Sequence, residues 1–316
     1  MRPVKDLNAG MKNFSEMLEK FSLAGGFQAK NLGDAFSIMK EAISEKKKGK
    51  CKIFLSFPAC IISTGTRGII KELVKQKLID VIITASGTID HDLARLWGNY
   101  YQGTFLTDDS KLARQKIHRL GNVFIPQKDY GIILEKKLQP IFNAISKKYT
   151  NLSTSELVNE IGKCLEHEKG KEDSIIYWAC KNEIPIILPG PYDGAFGYQL
   201  WMFQQDHKLN LDIFKDETFL SETIWQCQRE KIKTAALVLG GGISKHHTIW
   251  WNMFKDGLDY AVYITTAIEE DGSLSGAKTR EALTWGKIKQ KSRHVTVISD
   301  VTIALPLLVN ALHENL

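Results

Sequence analysis

The sequence predicts a doubly wound, mainly parallel α/β sheet of the Rossmann-like kind, with helical insertions. Three observations carry this prediction. Short apolar runs with the length of buried strands alternate with stretches whose apolar residues recur at helical spacing. A glycine or a cluster of small residues separates most of these runs from the helix that follows, as in crossover connections between parallel strands. Polar motifs fall directly after the apolar runs, where ligands bind in such sheets.

Residues 11–21 and 32–45 space their apolar side chains as helices do, with Gly25 and Gly26 between them. Residues 52–57 form a first strand that Pro58 ends, and 66–78 an amphipathic helix. A second strand at 80–84 leads through Gly87 into a helix near 92–96. The middle, 98–171, is rich in Lys, Asn and aromatics and reads as a helical insertion. Within it, 130–148 is a helix interrupted by Pro140, and Ser153-Thr-Ser-Glu156 is a capping box that opens another. Alternation then resumes, with a strand at 184–188 and a helix at 197–205. A strand at 234–239 runs into Gly240-Gly241-Gly242 and a helix from about Lys245. Strands at 260–265 and 295–299 and a helix at 303–313 complete the chain. No repeat or low-complexity stretch marks a boundary, so one α/β domain over 1–316 is expected, with a short helical amino-terminal segment.

With 316 residues, 43% hydrophobic and 25% charged, the chain can bury a sizeable core. The net charge of +6 comes mostly from lysine-rich runs such as 45–50. That run has no interleaved aromatics and reads as a solvated helix end, so no nucleic-acid partner is expected. The 5 cysteines are scattered with no Cys-x-x-Cys pair, which suggests neither a zinc site nor a disulfide framework. No signal-peptide pattern and no apolar run of about 18 residues occurs, so a soluble cytoplasmic protein with no membrane partner is expected.

The most unusual local chemistry is Trp285-Gly286-Lys287 after Glu281 and the acidic turn 269–276. A lysine attacks carbon only as the neutral amine, so burial or a neighbouring cation must depress its proton affinity. Trp285, Ala282 and Leu283 are candidates for a dry wall, while Asp271 and Glu281 oppose the shift unless a cationic ligand occupies them. This reads as a nucleophilic lysine beside a polyamine receptor. An exposed helical lysine paired with Glu281 or Glu270 fits the same residues. The triple glycine after a strand suits either an anion at a helix N-terminus or a plain tight turn. Asp193 and Asp300 suit a ribose hydroxyl or a helix cap. His246 and His247 face different sides of their helix and make poor joint metal ligands, so no metal site is expected.

In one order along the chain stand Ala24-Gly-Gly-Phe-Gln-Ala29, Pro58-Ala-Cys-Ile-Ile-Ser-Thr-Gly65, Gly87-Thr-Ile-Asp-His-Asp92, Asp193-Gly-Ala-Phe-Gly197, Gly240-Gly-Gly-Ile-Ser-Lys-His-His247 and Trp285-Gly-Lys287. Over nearly its whole length the chain resembles deoxyhypusine synthase, in its archaeal form. The resemblance implies NAD as cofactor, held by Ser63, Thr64, Ala85, Ser86, Gly87, Asp193, Gly241, Thr266, Ala267, Asp300 and Val301. It implies that Lys287 attacks an imine made from spermidine, releases 1,3-diaminopropane and passes the four-carbon fragment to a lysine of the translation initiation factor 5A precursor. His246 would line the polyamine channel and move protons. Asp271, Gly272, Ser273, Glu281, Trp285 and Asp90 would bind the substrate, with Asp92 a further candidate. A homotetramer is implied as well. The chain departs from eukaryotic members in having Asp90-His91-Asp92, Tyr198 and Leu274 where they carry other acids, so some polyamine contacts are rearranged. Homospermidine-type transfer to a free diamine, or a silent NAD- or polyamine-binding protein, are the alternatives.

Overall fold

The apolar runs at 51–57 and 233–239 lie side by side as parallel strands, Ile53 opposite Ala235 and Leu55 opposite Leu237. These are β1 (Cys51–Phe57) and, after β2 (Val81–Thr84), β3 (Lys233–Leu239). Next to β3 stand β4 (Leu258–Thr265) and β5 (Ile288–Ile298), each parallel to its neighbour. The order is β5-β4-β3-β1-β2. β3 and β4 are buried along almost their whole length, which explains why they read as continuous apolar runs and not as alternating ones. Helices α1 (Phe14–Ala24), α2 (Phe27–Lys47), α3 (Gly242–Met253), α4 (Thr279–Thr284) and α5 (Val301–His313) belong to this part, as does most of the helix Ile213–Arg229. α2 meets the sheet through Asn31, whose amide donates to the Thr296 carbonyl at 3.1 Å. Glu41 of the same helix accepts from the Tyr260 hydroxyl at 2.8 Å.

This computed structural model describes residues 3–315, and they group into two compact units. The first holds the sheet above and comprises the described residues of Met1–Phe57, Leu78–Ile83 and Phe219–Leu316. The second comprises Pro58–Lys77 and Thr84–Thr218. It is built mainly of helices, among them Thr66–Lys75, Gly87–Trp97, Gly131–Ser146, Thr154–Cys164 and Ala195–Gln204. Arg67 and Asp92 form a buried ion pair at 2.7 Å inside it.

The expected fold class is the one observed, a mixed α/β protein with a mainly parallel sheet. Local expectations need three corrections. The stretch 98–171 is not only helical: Ile117–Leu120 and Val123–Pro126 form an antiparallel hairpin, with Tyr101–Gln102 on its other edge. Pro140 lies inside the helix Gly131–Ser146 and does not interrupt it. The strand expected at 184–188 shrinks to Ile186–Ile187. The capping box is present as read, with Ser153 and Glu156 satisfying each other's backbone N–H.

Candidate active site

Lys287 sits where α4 turns into β5. Gly286 adopts a left-handed backbone (φ 66°), which reverses the chain between Trp285 and Lys287. The Lys287 N–H donates to the Ala282 carbonyl at 3.0 Å, and its carbonyl accepts from the Leu258 N–H at 3.0 Å. The result is two neighbours with opposite fates: Trp285 is 63% exposed and Lys287 only 6%. The exposed-helical-lysine reading is therefore set aside. The Lys287 amine stands 5.2 Å from the centre of the Trp285 ring. It lines a cavity of about 340 Å³ together with Glu281, Trp285, His246, Trp250 and Tyr263. Burial holds the amine below the ordinary lysine pKa, and the Glu281 carboxylate pulls it partly back. Of the apolar wall expected from sequence, Ala282 lines the cavity, and Ile249 takes the place expected of Leu283.

His246 lies in the first turns of α3, its ring 5.7 Å from that of Trp250. Burial first, and then the Lys287 charge, hold the imidazole below its usual pKa, so it is neutral at neutral pH. Beside it is a residue that sequence reasoning did not assign. Lys245 is 1% exposed, and its amine donates to the carbonyls of Leu274 and Ala277 at 2.6 Å each. It also covers the Tyr263 ring at 4.7 Å. Burial, then the nearby Lys278 charge, push Lys245 down to about 8. A helical stripe holds the clue, because Lys245 shares the buried face of α3 with Thr248, Ile249 and Asn252.

The acidic turn is divided. Gly272 and Leu274 line the cavity, whereas Asp271 and Ser273 are exposed outside its lining. The Asp271 carboxylate accepts from the Ser273 N–H at 2.7 Å, and the Ser273 side chain first, then this backbone bond, keep its pKa low. Glu281 is the acid that lines the cavity with Lys287.

Strands β3, β4 and β5 end along one rim, with Leu239 opposite Ile264 and Thr265 opposite Ile298. Gly241, Thr266, Ala267, Asp300 and Val301 follow these ends and are thereby brought together. Gly240 (φ 69°) and Gly242 (φ 74°) are left-handed, and a Cβ on Gly241 would meet Ser275 Oγ at 2.3 Å. The Gly242 N–H donates to the same hydroxyl at 3.0 Å, so the glycine loop is fitted to the acidic turn. Asp300 caps α5, accepting from the Thr302 N–H at 2.7 Å.

In the second unit, Asp90 is 1% exposed. Its oxygens accept from the N–H groups of Ala195 (2.8 Å) and Phe196 (2.6 Å) and from the Tyr130 hydroxyl (2.8 Å). That places Asp90 as an outside cap on a helix, although sequence reasoning had set it against a substrate ammonium. Asp92 accepts from Arg67, Ser174 and two backbone N–H groups and is fully buried. Gly194 packs so closely that a Cβ there would lie 3.2 Å from the Gly87 nitrogen and 3.3 Å from Ser86 Oγ. The Ser86 hydroxyl is buried with no hydrogen-bond partner among the described residues. Ser63 and Thr64 turn their hydroxyls onto the carbonyls of Cys60 and Ile61 at 2.7 Å. Asp193 is exposed, and Ala85 is half-buried.

Fold and cavity define an α/β protein that carries a buried lysine, its amine pKa lowered by burial, in an aromatic pocket beside strand ends. Comparison with known sequences gives the particular family. The model described as "DS: Deoxyhypusine synthase" matches residues 16–312. "Probable deoxyhypusine synthase" of Picrophilus torridus is 48% identical over 309 residues, 97% of this chain and 96% of that one. The protein of the same description from Thermoplasma acidophilum is 47% identical over 310 residues, 98% of this chain and 96% of that one. The chain belongs to the deoxyhypusine synthase family, a family of enzymes. Among solved structures, "Crystal Structure of a putative deoxyhypusine synthase from Entamoeba histolytica" shares the fold, with a TM-score of 0.65 and 22% identity over 98% of this chain and 96% of that one.

Proposed function

We propose that this enzyme transfers the 4-aminobutyl group of spermidine, through an imine on Lys287, to a lysine of the translation initiation factor 5A precursor, with NAD as cofactor. The observation that carries the reading is Lys287, a residue 6% exposed whose amine is depressed in proton affinity, in a cavity it shares with Glu281, Trp285 and His246. Glu281 pairs with a substrate ammonium, a charge-assisted hydrogen bond about twice as strong as a neutral one. Trp285 lies along the methylene chain and adds cation–π attraction of roughly 0.5–2 kcal/mol. Lys287 Nζ forms a bond to the butyl carbon, and 1,3-diaminopropane leaves from that carbon. Neutral His246 takes and returns the proton that attack and departure require. The cavity wall keeps water from the imine, which water would hydrolyse.

The rim of the first unit fits a dinucleotide. Thr266 and Asp300 expose a hydroxyl and a carboxylate of the kind that hold ribose or amide groups, beside Gly241, Ala267 and Val301. The same role is proposed for Ser63, Thr64, Ala85, Ser86, Gly87 and Asp193, where the buried, unpartnered Ser86 hydroxyl supports it. When bound, NAD supplies the hydride acceptor that makes the amine carbon electrophilic and the hydride donor that closes the cycle. Gly272, Ser273 and Asp271 form the turn at the cavity edge, and Asp90 acts by positioning. The family match runs through both units, which supports reading 1–316 as one family domain. Action in the cytoplasm, on a soluble protein, fits this substrate.

Borohydride trapping with NAD and spermidine, read by mass spectrometry, tests the proposal. Wild type should carry a butylamine adduct on Lys287, and Lys287→Ala none. Labelled spermidine should mark the factor precursor. Label in free homospermidine would instead assign a diamine acceptor, and no adduct in NAD-loaded protein would overturn the reading.

A further inference from the structure

The first unit gathers bases from distant parts of the sequence along one edge. The amino-terminal ends of β1, β3, β4 and β5 lie side by side, because these strands are parallel neighbours. Lys50 stands directly before β1, and the Lys233 N–H at the start of β3 donates to its carbonyl at 2.9 Å. Lys231 lies just ahead of β3. On β5, Ile288 pairs with Leu258 and Arg293 with Tyr260, so residues 289–292 bulge out opposite Asp259 alone and carry Lys291 with them. The part-buried acids of this edge are already shared between bases. Glu45 serves Lys48 (3.3 Å) and Lys233 (3.5 Å), and Asp259 serves Lys255 (3.0 Å) and Lys289 (2.7 Å). Lys50, Lys231 and Lys291 are exposed and have no ion-pair partner among the described residues. The exposed Glu230 and Asp256, at adjoining turns, offset only part of this surplus. The run 45–50 taken alone reads as a solvated helix end, but the fold joins it to lysines of the carboxyl-terminal half. The edge also adjoins the nucleophile, since the Lys287 carbonyl is bonded to the Leu258 N–H at the start of β4.

We propose that the basic edge marked by Lys50, Lys231 and Lys291 is a docking surface for the acceptor protein, and that it takes an acidic patch flanking the acceptor's lysine. This rests on the function proposed above and adds to it the charge of the face that the acceptor presents. From β5 to β1 is three strand spacings, about 14 Å. A protein that covers roughly 800 Å² of its partner has a footprint about 16 Å in radius. An acceptor that delivers a lysine to Lys287 therefore lies over this edge. Exposed amines on flexible stems act at the rim of an interface, where they steer the encounter and raise the association rate. Nucleic acid is the other polyanion that such amines suit, but it gains nothing from a place beside a lysine nucleophile.

The test combines Lys50→Glu, Lys231→Glu and Lys291→Glu in the full chain, with the factor precursor as acceptor. At low salt, kcat/KM for the precursor should fall by about tenfold or more, and the steep decline with salt seen in wild type should flatten. The KM for spermidine, the yield of Lys287 adduct and the melting temperature should stay at wild-type values, because these exposed side chains lie outside the cavity lining and the core. Gln at the same three positions should give a smaller loss in the same direction. Should charge reversal itself lower the melting temperature, the Gln set decides by the same readout. Wild-type precursor kinetics in the variant overturn the inference, and loss of duplex DNA binding alongside them would assign the edge to phosphate. A wild-type kcat/KM for the precursor that does not change with salt overturns it as well. If wild type forms no Lys287 adduct, or forms it and labels a free diamine but not the precursor, the proposed function fails and this inference falls with it.

Discussion

At the scale of single residues, two lysines in one cavity are treated differently. Lys287 is buried, hydrogen-bonded through its backbone and with its amine over the Trp285 ring, whereas the Lys245 amine is held by two carbonyls. In the proposed reaction Lys287 reacts as the free base, and its pKa lies below the ordinary lysine value. Adduct formation should therefore rise with pH and reach half its plateau below the model-lysine value of about 10.4. Trapping at a series of pH values measures this, and a midpoint at or above that value would contradict it. Lys245 titrates at about 8 when folded. Between there and about 10.4 the unfolded chain binds more protons, so stability rises with pH across that window. Lys245→Met should remove this rise. It should also cost about 1–3 kcal/mol, because two buried carbonyls lose their donor. Denaturant melts at pH 7.5 and pH 9.5 would show both effects.

Among elements, the helix Ala195–Gln204 gives the clearest division between scaffold and chemistry. Asp90, from another helix, satisfies the N–H groups of Ala195 and Phe196. Asp90→Asn should lower the melting temperature, by roughly 0.5–2 kcal/mol of stability, as for other lost caps. The KM for spermidine should stay near wild type, whereas an ammonium partner would raise it. What could be read from sequence follows from local physics. Strands β1, β3 and β4 are buried on both faces and therefore appear as unbroken apolar runs. The Ser153 box was legible because its partners lie three residues apart. The hairpin at 117–126 was overlooked although Gly121-Asn122 is a hairpin turn signal, because its residues are mostly part-exposed and carry little apolar pattern. Lys287, Glu281, Trp285 and His246, singled out from the sequence, line one cavity. That Asp90 caps a helix and that Lys245 is buried in the cavity wall could not be read, because burial and hydrogen-bond partners are decided by distant segments.

On the scale of the whole molecule, the proposed function asks a chain of net charge +6 to bind a polycation. Its total field is unfavourable, so recognition depends on local acids and neutral acceptors, and Glu281 lines the cavity while Asp271 stands outside its lining. Raising salt screens repulsion of the incoming cation as well as its attraction to Glu281, which keeps the salt dependence of KM shallow. The homotetramer implied by the family is a separate expectation. Light scattering on the eluting peak should give four times the chain mass, and a monomer peak at micromolar concentration would refute it. The first unit is assembled from three separated stretches of sequence, so no single cut releases it.

The backbone bonds around Lys287 set a limit on motion. With its N–H tied to Ala282 and its carbonyl to Leu258, the α-carbon is anchored on both sides. Whatever the amine carries can travel only as far as four methylenes swing. Under the proposed function, an acceptor protein would have to thread its own side chain down to this fixed post, which would favour acceptors that present a lysine on a narrow, protruding loop.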